Sequence, residues 1–339
     1  MLDRILRAIE KLIPKRLFAA GQPVYHYLLA LLAALIYRFP SRHITVIAVT
    51  GTKGKSTTVE LTAAILEAAG YSVASLSTVQ FKIGKTVRPN LFKMTVPGRF
   101  FVQRFLREAV NVGCHYVVLE MSSQAALQFR HKFIEFDALI YTNLAPEHIE
   151  SQGSFENYRD TKLGIARAVI SSSKPDPIIV ANADDAEGEK FLAVGGPRGI
   201  PYRLKDGEPH TLTTEGSTFV FREHVIHLHI PGVFNIMNAL GAATLAETVH
   251  IPMEAIAKGL ESVQSVRGRV EYIEVPHQDP TQKKPPFNVV VDYAHTPESL
   301  ESFYEIFRGH HNICILGNTG GGRDTWKRSV MAGIAEKHC

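Results

Sequence analysis

The stretch from Ile44 to Leu66, ITVIAVTGTKGKSTTVELTAAIL, constrains the fold more than any other part of the chain. It opens with a β-branched apolar run typical of a buried strand, passes through a glycine-containing loop, and resumes with apolar residues at helical spacing. Strand, glycine loop and helix N-terminus form a phosphate-binding arrangement, because the loop N–H groups and the helix dipole attract anions. An ordinary glycine-rich turn is the alternative, and the coincidence of G-K-S with both a strand and a helix argues against it.

The loop predicts an ATP site and gives its residues separate roles. Lys55 is expected to reach the outer phosphates, and the Ser56 hydroxyl is expected to bind Mg²⁺. Gly51 and Gly54 let the backbone approach the polyphosphate closely. The general P-loop pattern has Gly where this chain has Val49, so the loop is the variant T-G-T-x-G-K-S-T. The predicted ATP-binding residues of the loop are Gly51, Thr52, Lys53, Gly54, Lys55, Ser56 and Thr57.

Length and composition are those of a globular protein with room for two domains, at 339 residues, 45% apolar and 21% charged. The net charge of +4 suits an anionic ligand such as a nucleotide. Nucleic acid is not an expected partner, because no basic stripe interleaved with aromatic residues occurs. The cysteines Cys114, Cys314 and Cys339 show no paired spacing, which predicts free thiols, a reducing compartment and no zinc ribbon.

Residues 1–43 are unusual for a nucleotide-binding chain. Leu2–Phe18 is a candidate amphipathic basic helix, and Tyr25–Phe39 is a nearly continuous apolar run bounded by Pro23 and Pro40. The run is too short for a comfortable transmembrane span, and no signal-peptide cleavage site follows it. Three interpretations remain open: a helical pair packed on the ATP-binding domain, an interfacial membrane helix, or a partner-binding surface.

From Ile44 onward strands and helices alternate, which predicts an α/β fold with a doubly wound, mostly parallel sheet. In such sheets ligands bind at the carboxyl ends of the strands, so Glu120, directly after a strand, is expected beside the loop as a Mg²⁺ ligand. Short alternating runs within 201–230 predict a small antiparallel sheet. The predicted strands of the main sheet are Ile44–Val49, Ser72–Leu76, Tyr116–Leu119, Ala138–Thr142 and Ile178–Ala181.

Three further segments, E-M-S-S at 120–123, T-N-L-A-P-E-H-I-E at 142–150 and E-N-Y-R-D-T-K at 156–162, together resemble the signature set of the Mur ligases. These are ATP-dependent enzymes that form peptide bonds in cell-wall precursors, and the likeness is greatest to their tripeptide-forming members. The resemblance implies that Lys55, His148 and Lys162 are catalytic, that Glu120 and His148 bind Mg²⁺, and that Lys162 carries a CO₂-derived carbamate. A free lysine is a cation that repels Mg²⁺, whereas a carbamate is an anionic oxygen ligand.

The resemblance also implies contacts to the substrate and the nucleotide. Arg130 would clamp a carboxylate, while Gln128 could equally be a plain surface amide. The segment G-V-F-N-I-M-N at 232–238 is similar to the family's adenine-contacting helix, where an asparagine can pair with both edge groups of the base. The implied substrate-binding residues are Thr95, Ser122, Gln128 and Arg130. The implied nucleotide contacts outside the loop are Asn235, Asn238, Arg269, Asp292, His295, Lys327 and Arg328.

These patterns divide the chain into a helical leader (1–43), an ATP-binding Mur ligase central domain (44–268) and the start of a partial Rossmann-like C-terminal domain (269–339), which includes a predicted strand at Ile313–Leu316. Compared with the family, the N-terminal UDP-binding domain and most of the C-terminal domain are missing. The chain is therefore expected to be either a fragment or a natural short form.

The function implied by the resemblance is the addition of an amino acid to the carboxylate of a UDP-muramoyl-peptide through an acyl phosphate, using ATP and Mg²⁺. The reaction is expected in the cytoplasm or at the inner membrane surface. Two alternatives stay open. One is a sibling amide ligase of the folylpolyglutamate or amidating type, the latter usually carrying a Cys-rich zinc insert. The other is a non-catalytic ATP-binding subunit. The sequence predicts neither the added amino acid nor the oligomeric state.

Overall fold

The structure of the protein is a computed structural model that describes residues 15–92, 94–147, 153–274, 287–317 and 325–339, with side chains from Gly21 onward. The strands are β1 Thr45–Thr50, β2 Val73–Leu76, β3 Gln80–Ile83, β4 Thr86–Pro89, β5 Tyr116–Met121, β6 Ala138–Tyr141, β7 Ile178–Asn182, β8 Gly199–Tyr202, β9 His210–Leu212, β10 Ser217–Phe221, β11 His224–Leu228, β12 Glu271–Ile273 and β13 Val289–Val291. The helices are α1 Lys15–Ile36, α2 Lys55–Ala68, α3 Arg99–Val112, α4 Ser123–Leu127, α5 Phe155–Ile170, α6 Gly188–Gly195, α7 Val233–Thr248, α8 Met253–Ser262, α9 Pro297–Glu305 and α10 Lys327–His338.

Eight strands form the central sheet, in the order β4-β3-β2-β5-β1-β6-β7-β8. The six strands from β2 to β8 in this order pair in parallel, whereas β3 and β4 form an antiparallel hairpin on one edge. β1 lies in the middle, so its carboxyl end opens between the ends of β5 and β6. This confirms the predicted α/β fold and brings the residues after these three strands to one edge.

Two apolar layers cover the sheet, because alternate residues of β1 point to opposite faces. Val46 and Ala48 join a cluster with α3, α5 and α6, while Ile47 and Val49 join a cluster with α2, α7 and α8. The small antiparallel sheet β11-β10-β9 packs into the second cluster through β10 and β11, which confirms the prediction for residues 201–230. The phosphate loop is thus held between two rigid layers.

Within the described residues, the C-terminal part adds the antiparallel pair β12–β13 and the helices α9 and α10. The predicted strand at Ile313–Leu316 is wrong: residues 311–317 form no strand, and Ile313 and Ile315 are exposed. A short apolar run alone does not make a strand when no neighbouring strand supplies hydrogen bonds.

The prediction of three free thiols is also wrong. Cys314 and Cys339 form a disulfide across 25 residues, while Cys114 is free and buried. Spacing in the sequence could not show this, because the return of α10 brings the two cysteines together only in the folded chain.

Residues 15–36 form one continuous helix that includes Pro23, rather than two helices separated by that proline. It packs against α3, burying Ala30, Ala33 and Ala34. The first fourteen residues lie outside the described residues, so the amphipathic helix predicted from Leu2 is only partly covered. In the part of the chain that the structure describes, no helix combines the length and the apolar character needed to cross a bilayer.

Candidate active site

The loop between β1 and α2 begins and ends with glycines that no other residue could replace without strain. Gly51 has φ +149° and Gly54 has φ +79°; a Cβ would collide with Thr142 Oγ1 at the first and with Asn238 Oδ1 at the second. The loop is tied to the end of β6, because Thr52 N donates to Asn143 O at 2.8 Å and Lys53 N donates to Asn143 Oδ1 at 3.0 Å. The first-turn N–H groups of α2 therefore lie at an open helix N-terminus, where the helix dipole gives a positive potential.

The carboxylate of Glu120 lies at the tip of β5, as the strand-end argument predicts. Ser56 Oγ donates to Glu120 Oε2 at 2.8 Å. Thr78, which follows β2, donates to the same carboxylate from its N at 2.7 Å and from its Oγ1 at 2.9 Å. Thr78 Oγ1 also lies 2.9 Å from Thr95 Oγ1. Two of the four predicted metal ligands, Ser56 and Glu120, and the predicted substrate contact Thr95 thus belong to one hydrogen-bonded chain.

Lys162 reaches the loop from α5, whose N-cap Ser154 accepts from Asn157 N. It is almost completely buried, its Nζ donates to Gly51 O at 2.6 Å, and it lies 4.9 Å from the centre of the Tyr158 ring. Burial holds the pKa of Lys162 well below its usual range, and the neighbouring charge of Lys55 lowers it further.

Lys55 is the second lysine of the site; it is half-buried and lines the cavity. Its Nζ donates to Thr52 O at 2.7 Å. Burial lowers the pKa of Lys55, although the charges of Glu120 and Glu147 oppose this shift. Lys55 and the N–H groups of the loop therefore offer a positive potential to a polyphosphate, whereas the lowered pKa of Lys162 favours its neutral amine.

The predicted adenine-contacting asparagines lie on the first two turns of α7, beside the loop. Asn238 Nδ2 donates to Asn235 Oδ1 at 3.1 Å, and Asn235 Nδ2 donates to Pro231 O at 2.8 Å. Thr58 Oγ1 of α2 is 3.4 Å from Asn238 Oδ1. Both asparagines are buried, and both line the cavity. They therefore connect α7 to the phosphate loop and also face the cavity.

Residues of the C-terminal part form the opposite wall. His295 Nε2 lies 2.6 Å from Glu147 Oε1, and Lys53 Nζ lies 3.4 Å from Glu298 Oε2. Arg269 stacks on the Tyr293 ring at 4.8 Å. Burial raises the pKa of Asp292, which accepts from Val270 N at 2.8 Å. This wall therefore contacts the phosphate loop directly.

Loop, strand ends and C-terminal wall enclose a cavity of about 530 Å³. Of the predicted site residues, those that line it are Thr52, Lys53, Gly54, Lys55, Ser56, Thr57, Thr95, Glu120, Ser122, Asn235, Asn238, Arg269, Asp292, His295 and Lys327. Sequence reasoning missed three lining residues that hold the site together: Thr78, Asn143 and Glu147. Thr78 follows a strand of the sheet and could have been found by the same strand-end rule as Glu120.

The remaining predicted residues that the structure describes do not line the cavity, and Gly51 and Lys162 are among them. Gln128 and Arg130 are not on the cavity wall: Arg130 is buried, donates to Val96 O, and donates from Nη2 to Gln128 Oε1 at 2.5 Å. Arg328 is exposed, next to the buried Lys327. His148 lies outside the described residues, so its role as a metal ligand stays a prediction.

The donors around Ser56 fit a hard cation. A serine hydroxyl and a carboxylate that already share a hydrogen bond are oxygen ligands of the kind that Mg²⁺ prefers. Within the described ranges, no group of three or more His, Cys, Asp and Glu side chains converges. A metal held by Ser56 and Glu120 would therefore share its remaining positions with phosphate oxygens and water, as Mg²⁺ does in nucleotide sites.

Comparison with known proteins gives a consistent family. The family model of the Mur ligase middle domain matches residues 49–246. The chain is 34% identical over 337 residues to the UDP-N-acetylmuramyl-tripeptide synthetase of Roseiflexus sp. (strain RS-1), which covers 92% of this chain and 64% of that protein. It is 32% identical to the UDP-N-acetylmuramoyl-L-alanyl-D-glutamate–2,6-diaminopimelate ligase of Halalkalibacterium halodurans, over 91% of this chain and 63% of the relative.

Solved structures show the same fold. A UDP-N-acetylmuramoyl-L-alanyl-D-glutamate–2,6-diaminopimelate ligase superposes with a TM-score of 0.63 at 24% identity, over 87% of this chain and 60% of that one. Folylpolyglutamate synthase of Mycobacterium tuberculosis superposes with the same TM-score at 15% identity, over 87% of this chain and 75% of the synthase.

The chain spans about 64% of the length of the curated relatives that it matches. The matched middle domain begins at the end of β1 and covers the phosphate loop, Glu120, Lys162 and the asparagines of α7. The site and the match thus coincide, and this chain belongs to the Mur ligase family.

Proposed function

We propose that the protein is an ATP-dependent ligase that joins an amino acid to the carboxylate of a UDP-muramoyl-peptide. One observation supports this most: Lys55, Lys162 and the Ser56–Glu120 pair surround the phosphate loop, while Thr95 and Ser122 line the same cavity. The site would thus hold a triphosphate and, beside it, an acid that attacks it.

The chemistry has two steps. A carboxylate oxygen of the substrate attacks the γ-phosphorus of ATP, the bond from that phosphorus to the bridging oxygen breaks, and ADP leaves. The amine of the amino acid then attacks the acyl carbon, the carbon–oxygen bond to phosphate breaks, and the amine loses a proton. Lys55 and the loop N–H groups stabilise the charge that develops on the phosphoryl oxygens.

Mg²⁺, held by Ser56 and Glu120, would neutralise phosphate charge. We propose that Lys162 carries a carbamate. Its lowered pKa favours the neutral amine, which is the form that adds to CO₂. A carbamate nitrogen keeps one N–H, so the hydrogen bond to Gly51 O survives the modification. The modified side chain would place an anionic oxygen group near Lys55 and offer oxygen ligands to a metal.

The C-terminal wall would exclude water from the acyl phosphate, which water otherwise hydrolyses. The contact between His295 and Glu147 and the ion pair between Lys53 and Glu298 hold this wall against the site. A ligase of this kind would work in the cytoplasm, where ATP and nucleotide-linked precursors are made.

The decisive experiment traps the intermediate. Purified protein is incubated with MgATP, UDP-muramoyl-dipeptide and hydroxylamine, so that no knowledge of the natural amino acid is needed. We expect a hydroxamate of the dipeptide and one phosphate released for each hydroxamate formed. The Lys55→Ala variant should give neither product. Nucleotide binding without hydroxamate would instead favour a non-catalytic ATP-binding subunit, and hydroxamate formed only with a folate acid would favour the folylpolyglutamate type.

A further inference from the structure

The helix α1 presents an apolar face to solvent that no part of the described chain covers. Its large apolar side chains on this side are between 47% and 60% exposed. At about 100° of rotation per residue, they fall within an arc of about 120° that extends over more than three turns. We call this face the outer stripe; its residues are Val24, Tyr25, Leu28, Leu32, Leu35 and Ile36.

The opposite face fixes the direction in which the stripe points. Ala30, Ala33 and Ala34 are buried against the body of the protein. Tyr27 packs edge-on against Phe133, with ring centres 5.0 Å apart. Just beyond the helix, Arg107 of α3 donates from Nε and Nη2 to Tyr37 O at 3.0 and 2.9 Å. The small inner residues let α1 lie close to α3, so the large apolar residues are held outward.

A contiguous apolar face of this kind usually marks a binding surface, because single exposed apolar residues are common but ordered stripes are not. Neither Asp nor Glu occurs anywhere from Lys11 to Val59. Arg38 and Arg42 follow the helix, and both are exposed. Arg42 stacks on Phe39, and its charge adds to the hydrogen bonds from Ser173 and Ser172 that lower the pKa of Glu135 against the effect of burial. The end of the stripe is therefore positively charged.

This charge pattern separates two occupants of the stripe. In a symmetric pair of chains the stripe of one copy would meet the stripe of the other. Whether the two helices ran parallel or antiparallel, the basic groups at an end of α1 would face basic groups of the second copy. No acidic residue of the segment could compensate that repulsion. A bilayer with anionic headgroups complements both features, since it buries apolar side chains and attracts arginine.

We propose that the outer stripe docks on the surface of a bilayer that contains anionic phospholipid, with α1 lying in the plane of the headgroups. Leu28, Leu32 and Leu35 enter the acyl boundary, and Tyr25 lies at the headgroup level, where tyrosine is favoured. Arg38 and Arg42 contact lipid phosphates. This binding needs no ligase activity, so it stands or falls separately from the function proposed above.

The first test is sedimentation of the full chain with vesicles. We expect binding to vesicles of phosphatidylglycerol and phosphatidylcholine, and much weaker binding to phosphatidylcholine alone. The double variant Leu28→Glu, Leu32→Glu should lower the partition to mixed vesicles at least about tenfold. The matched control is Val112→Glu on α3, an exposed apolar residue outside the stripe, which should bind like the wild type. Circular dichroism checks that each variant is folded.

The second test reports the stripe directly. Trp326 is the single tryptophan of the chain, so Leu28→Trp in a Trp326→Phe background gives one reporter on the stripe. Its fluorescence should shift to the blue when mixed vesicles are added and be quenched by brominated lipid. Fluorescence that is already blue-shifted without lipid would overturn the proposal. If that protein elutes as a dimer, the stripe is covered by a second copy; if it elutes as a monomer, the stripe is covered by another segment of the chain. Equal sedimentation of wild type and double variant would also overturn it.

Discussion

The Nζ atom of Lys162 lies 2.6 Å from the carbonyl oxygen of Gly51, so α5 is hydrogen-bonded directly to the first residue of the phosphate loop. The loop is tightly packed at this point, because Gly51 has no room for a side chain beside Thr142. A change at this amine therefore acts on the position of the loop as well as on the charge beside Lys55.

The first prediction concerns that amine. Lys162→Ala removes both the hydrogen bond to Gly51 and the group that would carry the carbamate. We expect phosphate release to fall at least about a hundredfold, a loss typical of a removed charge-stabilising group. Added bicarbonate should not restore it. Lys190→Ala, on the neighbouring α6 and exposed, is the matched control and should keep wild-type activity.

A direct readout accompanies this variant. Protein equilibrated with ¹³C-bicarbonate should show a carbamate signal by NMR that is absent in Lys162→Ala and present in Lys190→Ala. Full activity of Lys162→Ala, or the same signal in all three proteins, would contradict the carbamate.

The second prediction separates backbone strain from crowding in the loop. Gly54→Ala combines φ +79° with a collision against Asn238 Oδ1, whereas Gly70→Ala has φ +90° with nothing within 4 Å. We expect Gly70→Ala to lower the free energy of unfolding by about 1 kcal/mol and leave nucleotide affinity unchanged. Gly54→Ala should destabilise more and lower ATP affinity at least about tenfold, because the loop must move. Denaturant unfolding measures the free energy of unfolding, and calorimetric titration measures the ATP affinity. Equal changes in these two quantities for the two variants would refute the role of crowding.

The third prediction tests Glu120 as the metal-binding carboxylate. Glu120→Gln keeps the shape but removes the charge, and it places an amide where Ser56 and Thr78 donate. We expect the gain in ATP affinity that Mg²⁺ gives the wild type to disappear, while the affinity in excess chelator changes little. Titrations with and without Mg²⁺ measure this difference.

Glu60→Gln is the control for that variant. Glu60 is a nearby carboxylate that accepts from Gln80 Nε2 at 2.8 Å and whose pKa is raised by burial. It does not line the cavity, so the Mg²⁺ effect should persist. A Mg²⁺ effect that survives in Glu120→Gln would place the metal on other ligands.

The parts of the site that the sequence predicted are those set by local structure and by parallel-sheet geometry. The run from Ile44 to Leu66 carries the local pattern of a strand, a loop and a helix, and Glu120 lies at the end of a strand that pairs with β1. Both features depend on neighbours in sequence or on the one rule that strand ends meet at one edge. The cavity-lining residues of the loop were therefore predictable.

The features that sequence reasoning missed depend on contacts between distant segments. Glu147 meets His295 across 148 residues, and Cys314 meets Cys339 only after α10 has turned back. Pro23 predicts a break because proline removes a helical hydrogen bond, yet α1 continues through it and buries Ala30, Ala33 and Ala34. Tertiary contacts overrule local preference at such places.

The last prediction concerns stability rather than activity. His131 is buried, and its Nδ1 has no hydrogen-bond partner among the described residues. Burial, together with the charge of Lys132, lowers the pKa of His131 from 6.5 to about 4. Between these values the unfolded chain binds the proton and the folded chain does not, so stability rises with pH across this window. As pH falls from 6.5 to 4, the wild type should lose up to about 3 kcal/mol of its free energy of unfolding through this group.

His131→Leu should remove that loss, whereas His229→Gln, at an exposed position, should keep it. Urea unfolding at several pH values measures how the free energy of unfolding of each of the three proteins changes with pH. The same dependence for the wild type and His131→Leu would show that His131 is protonated in the folded state.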